Sequence, residues 1–146
     1  MTMTGHESRR AAFITARPIA HRGLHDLSRG VVENTQSAFA AAIAKGYPIE
    51  CDLQRTSDGE AVVFHDDHLD RLTEGHGLVK NQTASQMKAL TIRHSQDRVQ
   101  TLSELLAQVK GQVPLVIELK SHWDGDVRLA ERAVELLRSY AGPYCI

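Results

Sequence analysis

"IECDLQRTSDGEAVVFH" spans residues 49–65, and its first six positions alternate: Ile49, Cys51 and Leu53 are apolar, Glu50, Asp52 and Gln54 polar. A period of two belongs to a β-strand with one buried face, so the two carboxylates project from the same side. "SDGE" at 57–60 then reads as a turn, and "AVVFH" as a short apolar strand that ends at His65.

Upstream, "RPIA" reads as a strand stopping at His21, followed by Arg22 and Gly23. In "ENTQSAFAAAIAKG", Asn34 or Thr35 caps a helix that the alanines favour and Gly46 ends. Residues 66–98 are polar and mixed, an excursion outside the main framework with one short helix begun near Thr83. "TLSELLAQVKG" has Thr101 as N-cap, Glu104 as capping-box partner, apolar residues at 102, 105, 106 and 109, and Gly111 as a stop. "VPLVIELKS" is a further strand, with Leu115, Ile117 and Leu119 on one face and Val116, Glu118 and Lys120 on the other. An amphipathic helix follows over 126–140, and "PYCI" starts another strand.

Strands followed by helices predict the α/β class, a parallel sheet with helices packed outside. In such folds the chemistry sits at the C-terminal ends of the strands. His21, Glu50, Asp52, His65, Glu118 and Lys120 all fall there.

The bulk composition excludes several other classes. With 146 residues and 42% hydrophobic residues, one domain with a real core is expected. The net charge of -1 gives no overall basic field for nucleic acid or an anionic membrane, so any phosphate recognition must be local. Two cysteines make no disulfide framework, and Cys51 reads as a small core residue. The longest apolar run, "AFAAAIA", is too short to span a bilayer, and "MTMTGHESRRAAFITARP" reads as neither signal nor anchor. Residues 1–16 read as a loosely structured lead-in, and the expected location is the cytoplasm.

Three carboxylates on two strands supply the hard oxygen ligands preferred by Mg²⁺ or Ca²⁺ over zinc. Arg22 and Lys120 add fixed positive charge of the kind a phosphoryl group needs, and His21 and His65 can exchange protons near neutrality. Taken singly, "ECD" and "ELK" are more often solvated strand faces, and a strand-end histidine is more often a surface hydrogen-bonding group. Their coincidence on adjoining strand ends is what points to a site, because unpaired interior charges are costly without a compensating cation. His25, His68, His76, His94 and His122 are expected in solvent, and Trp123 as a loop packing group. Glu33 and Asn34 also fit a helix start, and Asp66 either orients His65 or begins a loop.

"IAHRG", "ENT", "ECDLQRTSDGEAVVFHDDHLDRLT" and "LVIELK" resemble, in order and spacing, the glycerophosphodiester phosphodiesterase family of the phosphatidylinositol-phospholipase-C-like superfamily, over roughly residues 17–121. The resemblance implies a (β/α)8 TIM barrel holding a divalent metal, Mg²⁺ or Ca²⁺, with Glu50, Asp52 and Glu118 as ligands. It also implies His21 and His65 as the acid/base pair, Arg22 and Lys120 on the substrate phosphate, and Glu33 close by. The reaction implied is hydrolysis of a small-molecule glycerophosphodiester to sn-glycerol 3-phosphate and an alcohol such as choline or ethanolamine. Alternatives are a phosphodiesterase acting on a lysophospholipid or related lipid headgroup, and an inactive half-barrel that binds metal or phosphate.

Such a barrel takes about 250 residues, so residues 17–146 are expected to be about half of the domain, truncated at the C-terminus. The competing expectation is a homo-oligomer in which a second copy completes the barrel.

Overall fold

The computed structural model describes residue 12 and residues 14–146. Most of the expected lead-in, residues 1–11 and 13, lies outside the described residues. Its remaining part differs from the expectation, since residues 12 and 14–16 are helical. These described positions are exposed, and exposed helical positions need no apolar period to mark them.

Among the described residues four α-helices and four strands follow, besides two single 3-10 turns at Leu27–Arg29 and Val79–Asn81: α1 Gln36–Lys45, β1 Ile49–Arg55, β2 Ala61–Val63, α2 Ala84–Ala89, α3 Leu102–Val109, β3 Leu115–Leu119, α4 Arg128–Leu137 and β4 Tyr144–Cys145. The strand order is β2-β1-β3-β4, with β1, β3 and β4 parallel and β2 antiparallel to β1. The antiparallel strand corrects the expectation of strands followed throughout by helices. A five-residue connection can only fold a strand back on its neighbour, whereas a parallel return needs a crossover of about a dozen residues or more. Thr56 organises that turn: its hydroxyl donates to Asp58 Oδ1 (2.6 Å) and accepts from the Glu60 backbone N–H (2.9 Å).

The predicted strand at 17–20 is also corrected, shrinking to one parallel bridge between Ala20 and Ile49. Ala20 N–H donates to Pro48 O (2.8 Å) and Ala20 O accepts from Glu50 N–H (3.0 Å). The chain then curls at His21, and Gly23 N–H closes back on Ala20 O at 3.1 Å. Residues 17–19 run parallel ahead of Ala20 and would have only residues 46–48 opposite them, which precede the start of β1 at Ile49, so the pairing is confined to one bridge.

The helices terminate for local reasons. Thr35 caps α1, its hydroxyl facing the Ala38 N–H and donating to Val32 O at 2.7 Å, and Gly46 closes it in the left-handed region. Thr83–Gln86 and Thr101–Glu104 form complete capping boxes on α2 and α3. Lys110 takes the left-handed cap of α3 one residue before the expected stop at Gly111. α4 starts later than 126 because Asp126 accepts from Arg128 N–H in a local turn ahead of it, and it ends at Leu137 with Arg138 as its C-cap.

Alternation decides what each face of the sheet does. Ile49, Cys51, Leu53, Leu115 and Ile117 pack against Phe39 and Ala42 of α1, Leu102, Leu105 and Val109 of α3, and Leu129, Ala133 and Leu137 of α4. Glu50, Asp52, Gln54 and Glu118 therefore project from the opposite face. Residues 66–98 do not stand outside the framework as expected. Leu69, Val79, Met87, Ile92 and Val99 form a second core with Val32, Val62 and Phe64, covering the face of β2 turned away from the first. No described helix is long and apolar enough to cross a membrane.

Candidate active site

The parallel pairing of β1 and β3 sets Asp52 opposite Glu118 and Glu50 opposite Val116. As a result Glu50, Asp52 and Glu118 each offer a carboxylate oxygen within 4.8 Å of the others. Asp52 is buried at 1% exposure, Glu50 is partly buried and Glu118 exposed. Burial pushes the Glu50 carboxyl up, the charges of Asp52 and Glu118 push it further, and the Arg22 backbone N–H pulls it back. Like charges held this close require positive charge nearby.

Two cations provide it. Lys120 Nζ donates to Glu118 Oε1 at 2.6 Å and lies 3.0 Å from Asp52 Oδ1. Burial lowers the Lys120 pKa, but the contacts with Glu118 and Asp52 outweigh it and hold the ammonium charged. Arg22 N–H donates to Glu50 Oε2 at 2.9 Å, its Nε lies 3.5 Å from Asp52 Oδ2, and its Nη1 donates to Glu33 Oε1 at 3.0 Å. Asp52 Oδ1 and Arg22 Nε are buried without an aligned hydrogen-bond partner, and both border the carboxylate cluster. An all-oxygen donor set around a buried carboxylate oxygen whose close neighbour is an unaligned ammonium fits a hard divalent cation.

The turn at 21–23 is built for this contact. Arg22 and Gly23 both have positive φ (57° and 80°), and a Cβ on Gly23 would lie 2.8 Å from Ala38 Cβ and 2.9 Å from Ala38 C. Gly23→Ala is therefore expected to cost about 1–3 kcal/mol from left-handed backbone and overpacking together. A drop in the urea midpoint at unchanged slope is the check.

β2 brings its histidine to the site by a route the sequence reading missed. The descending arm continues past Val63, Phe64 N–H donates to Asp52 O (3.0 Å), and Gln54 Nε2 donates to His65 O (3.0 Å). His65 thus follows directly on the residue bonded to Asp52, at the end of a hairpin and not of a parallel strand. Its Nδ1 bonds Asp66 Oδ1 at 2.7 Å, so Asp66 orients the His65 ring. A cavity of about 520 Å³ lies beside it, lined by His65–His68 and Lys120–His122. His21 is mostly exposed, its Nε2 3.9 Å from Glu50 Oε2.

Two further residues join the site without having been singled out for it. Asn34, read as a helix start, is buried in the left-handed region at φ 56°, which Asn tolerates better than most. Its Nδ2 donates to Asp52 Oδ2 at 2.9 Å and its backbone N–H to Arg22 O at 2.9 Å. Arg71, within the excursion, grips Asp66 and Glu33 together: Nε to Asp66 Oδ2 2.6 Å, Nη2 to Asp66 Oδ1 2.8 Å, Nη1 to Glu33 Oε2 3.1 Å and Nη2 to Glu33 Oε1 2.8 Å. No local period marks Arg71, although an Asn directly after Glu33 could have been read as a turn residue.

The hydrogen bonds from Arg71 outweigh burial and, with that to His65, hold the Asp66 carboxyl down at about 2. Burial raises Glu33, but the same guanidinium and Arg22 bring it below the usual range. A carboxyl depressed in the folded state contributes stability that is complete above its unfolded pKa of about 3.9 and is lost as pH falls toward the folded value. Stability against urea is therefore expected to fall between about pH 4 and 2, with a shallower fall in Asp66→Asn.

Trp123, expected to pack within its loop, is instead 93% exposed. His25, His68, His76, His94 and His122 are exposed, as expected, and Cys51 is fully buried.

Together these features define an α/β protein with an acidic, cation-flanked site on one face of two parallel strands. The expectation that all of these residues sit at strand carboxyl ends is corrected for β1, where Glu50 is the second and Asp52 the middle residue of Ile49–Arg55, while Glu118 lies next to the end of β3. The family model described as the glycerophosphoryl diester phosphodiesterase family matches residues 21–139. The glycerophosphodiester phosphodiesterase of Caldanaerobacter subterraneus subsp. tengcongensis is 36% identical over 130 residues, covering 84% of this chain and 52% of that protein. Mouse glycerophosphodiester phosphodiesterase 1 is 32% identical over 117 residues, 73% of this chain and 34% of that protein. An Oleispira antarctica phosphodiesterase, solved in complex with the product sn-glycerol-3-phosphate, superposes with a TM-score of 0.80 at 28% identity, covering 92% of this chain and 57% of that one. The chain belongs to the glycerophosphoryl diester phosphodiesterase family. It spans about half the length of the curated relatives it matches.

Proposed function

We propose that residues 17–146 form the N-terminal half or so of a (β/α)8 phosphodiesterase domain, which hydrolyses a glycerophosphodiester to sn-glycerol 3-phosphate and an alcohol. The observation that carries this reading is the convergence of Glu50, Asp52 and Glu118 within 4.8 Å, flanked by Arg22 and Lys120. Glu50, Asp52 and Glu118 are the residues that would hold Mg²⁺ or Ca²⁺. When bound, such a cation supplies Lewis-acid polarisation of a phosphoryl oxygen.

The remaining work falls to side chains of this chain. Arg22 and Lys120 hold the phosphoryl oxygens and offset the negative charge that grows on them. His21 and His65 divide the proton transfers, one accepting the proton of the attacking oxygen and the other donating to the departing alkoxide. Water is consumed, one P–O bond forms, and the ester P–O bond to the alcohol breaks. Asp66 fixes the His65 ring, and Glu33 holds Arg22.

A lysophospholipid substrate is less well supported, because the cavity beside His65 is lined by charged and polar residues and by no apolar side chain. The test is release of glycerol 3-phosphate from glycerophosphocholine by the 146-residue chain with Mg²⁺ or Ca²⁺, and with EDTA as control. Release abolished by EDTA is expected of a working site. Cation binding without release is the outcome for a half-barrel that binds but does not turn over.

A further inference from the structure

We propose that Arg71 is a positioning residue that sets the tautomer and orientation of His65 by clamping Asp66 and Glu33 together. The inference rests on the reading of His65 as an acid/base group but concerns its geometry. Arg71 is the one described residue whose side chain donates to both carboxylates. Asp66 accepts from His65 Nδ1 and Glu33 accepts from Arg22 Nη1. The run His65–Asp66–Arg71–Glu33–Arg22 therefore ties the return arm of the hairpin to the turn at 21–23, two segments more than 40 residues apart in sequence.

The chemistry follows from donor and acceptor inventory. An ionised carboxylate only accepts, and Asp66, whose carboxyl the hydrogen bonds from Arg71 and His65 hold low, is ionised at neutral pH. The proton of neutral His65 must then sit on Nδ1, leaving the Nε2 lone pair for a proton transfer. With Arg71 replaced by a neutral residue, Asp66 and Glu33 would lose the charge between them, and Asp66 would no longer be held at the ring. A lysine keeps the charge but cannot donate in the fork geometry that spans two carboxylates. The role is thus assigned to the guanidinium shape as well as to its charge. An isolated exposed ion pair contributes little, but here four hydrogen bonds converge on one group.

The test is long-range ¹H–¹⁵N NMR of the imidazoles in the 146-residue chain, with His65 assigned by its disappearance in His65→Ala. In the parent the neutral His65 is expected as the Nδ1–H form. In Arg71→Met the Nδ1–H form is expected to become the minor species, with Arg71→Lys intermediate and the amide spectrum of β1 and β3 retained. A His65 tautomer unchanged in Arg71→Met overturns the proposal. Should Arg71→Met not fold, Arg71→Lys decides alone: a parent-like tautomer there overturns the clamp. The readout needs no turnover, so its failure and a failure of the phosphodiesterase reading are separate results.

Discussion

Asp52→Asn is expected to abolish the stabilisation that Mg²⁺ or Ca²⁺ confers on this chain, and with it any cation-dependent turnover. A cation at about 100 times its Kd stabilises a folded protein by about 2.7 kcal/mol when it binds the folded state alone. The parent should therefore melt several degrees higher with cation than with EDTA, and the variant at one temperature in both. Asp52 is the choice among the three carboxylates because it is buried, central in the sheet and carries the oxygen without an aligned donor. Asparagine keeps the shape and an acceptor, so the Asn34 contact at 2.9 Å survives in part. The loss then reports charge and not collapse of the strand. Retention of the cation-induced rise in melting temperature in Asp52→Asn would remove Asp52 from the ligand set.

Replacing either histidine separates binding from chemistry. General acid–base groups contribute about 10²–10⁴-fold, so His65→Ala and His21→Ala are each expected to lower kcat by that order. The cation-induced rise in melting temperature should persist in both. His65→Ala also strips Asp66 of one partner while Arg71 remains bonded to it, so the fold should tolerate the change. His21 is mostly exposed and makes one long contact to Glu50, and its removal should be close to neutral for stability. Near-parental kcat in either variant would exclude that histidine from the proton transfers. Loss of the cation effect together with kcat would mean the histidine holds the cation site and not the proton.

Much of this site was legible because it rests on local rules. The alternation through Ile49–Gln54 placed Glu50 and Asp52 on one face, and the same period in "LVIELK" placed Glu118 and Lys120 with them. Capping chemistry located α1 and α3 to within a residue. The exceptions share one cause. A turn of five residues forces β2 to run antiparallel, which the strand-then-helix rhythm did not weigh. The packing of residues 66–98 on Val62 and Phe64 depends on contacts between distant segments. Asn34 and Arg71 have no period to betray them, since each acts across a gap in sequence: Asn34 on Asp52, and Arg71 on Glu33.

Short-range pattern was thus enough for which side chains share a face, where the helices begin and end, and which residue types could hold a cation and a phosphate. Side-chain period and capping are set within a few residues. Contacts across the fold set the Asp52–Glu118 register, the pairing of Phe64 with Asp52 that leads the chain to His65, and the clamp of Arg71 across Asp66 and Glu33. Each of these joins segments far apart in the chain. Which distant segments meet depends on the burial and hydrogen bonding of the whole fold, not on the spacing within any one stretch.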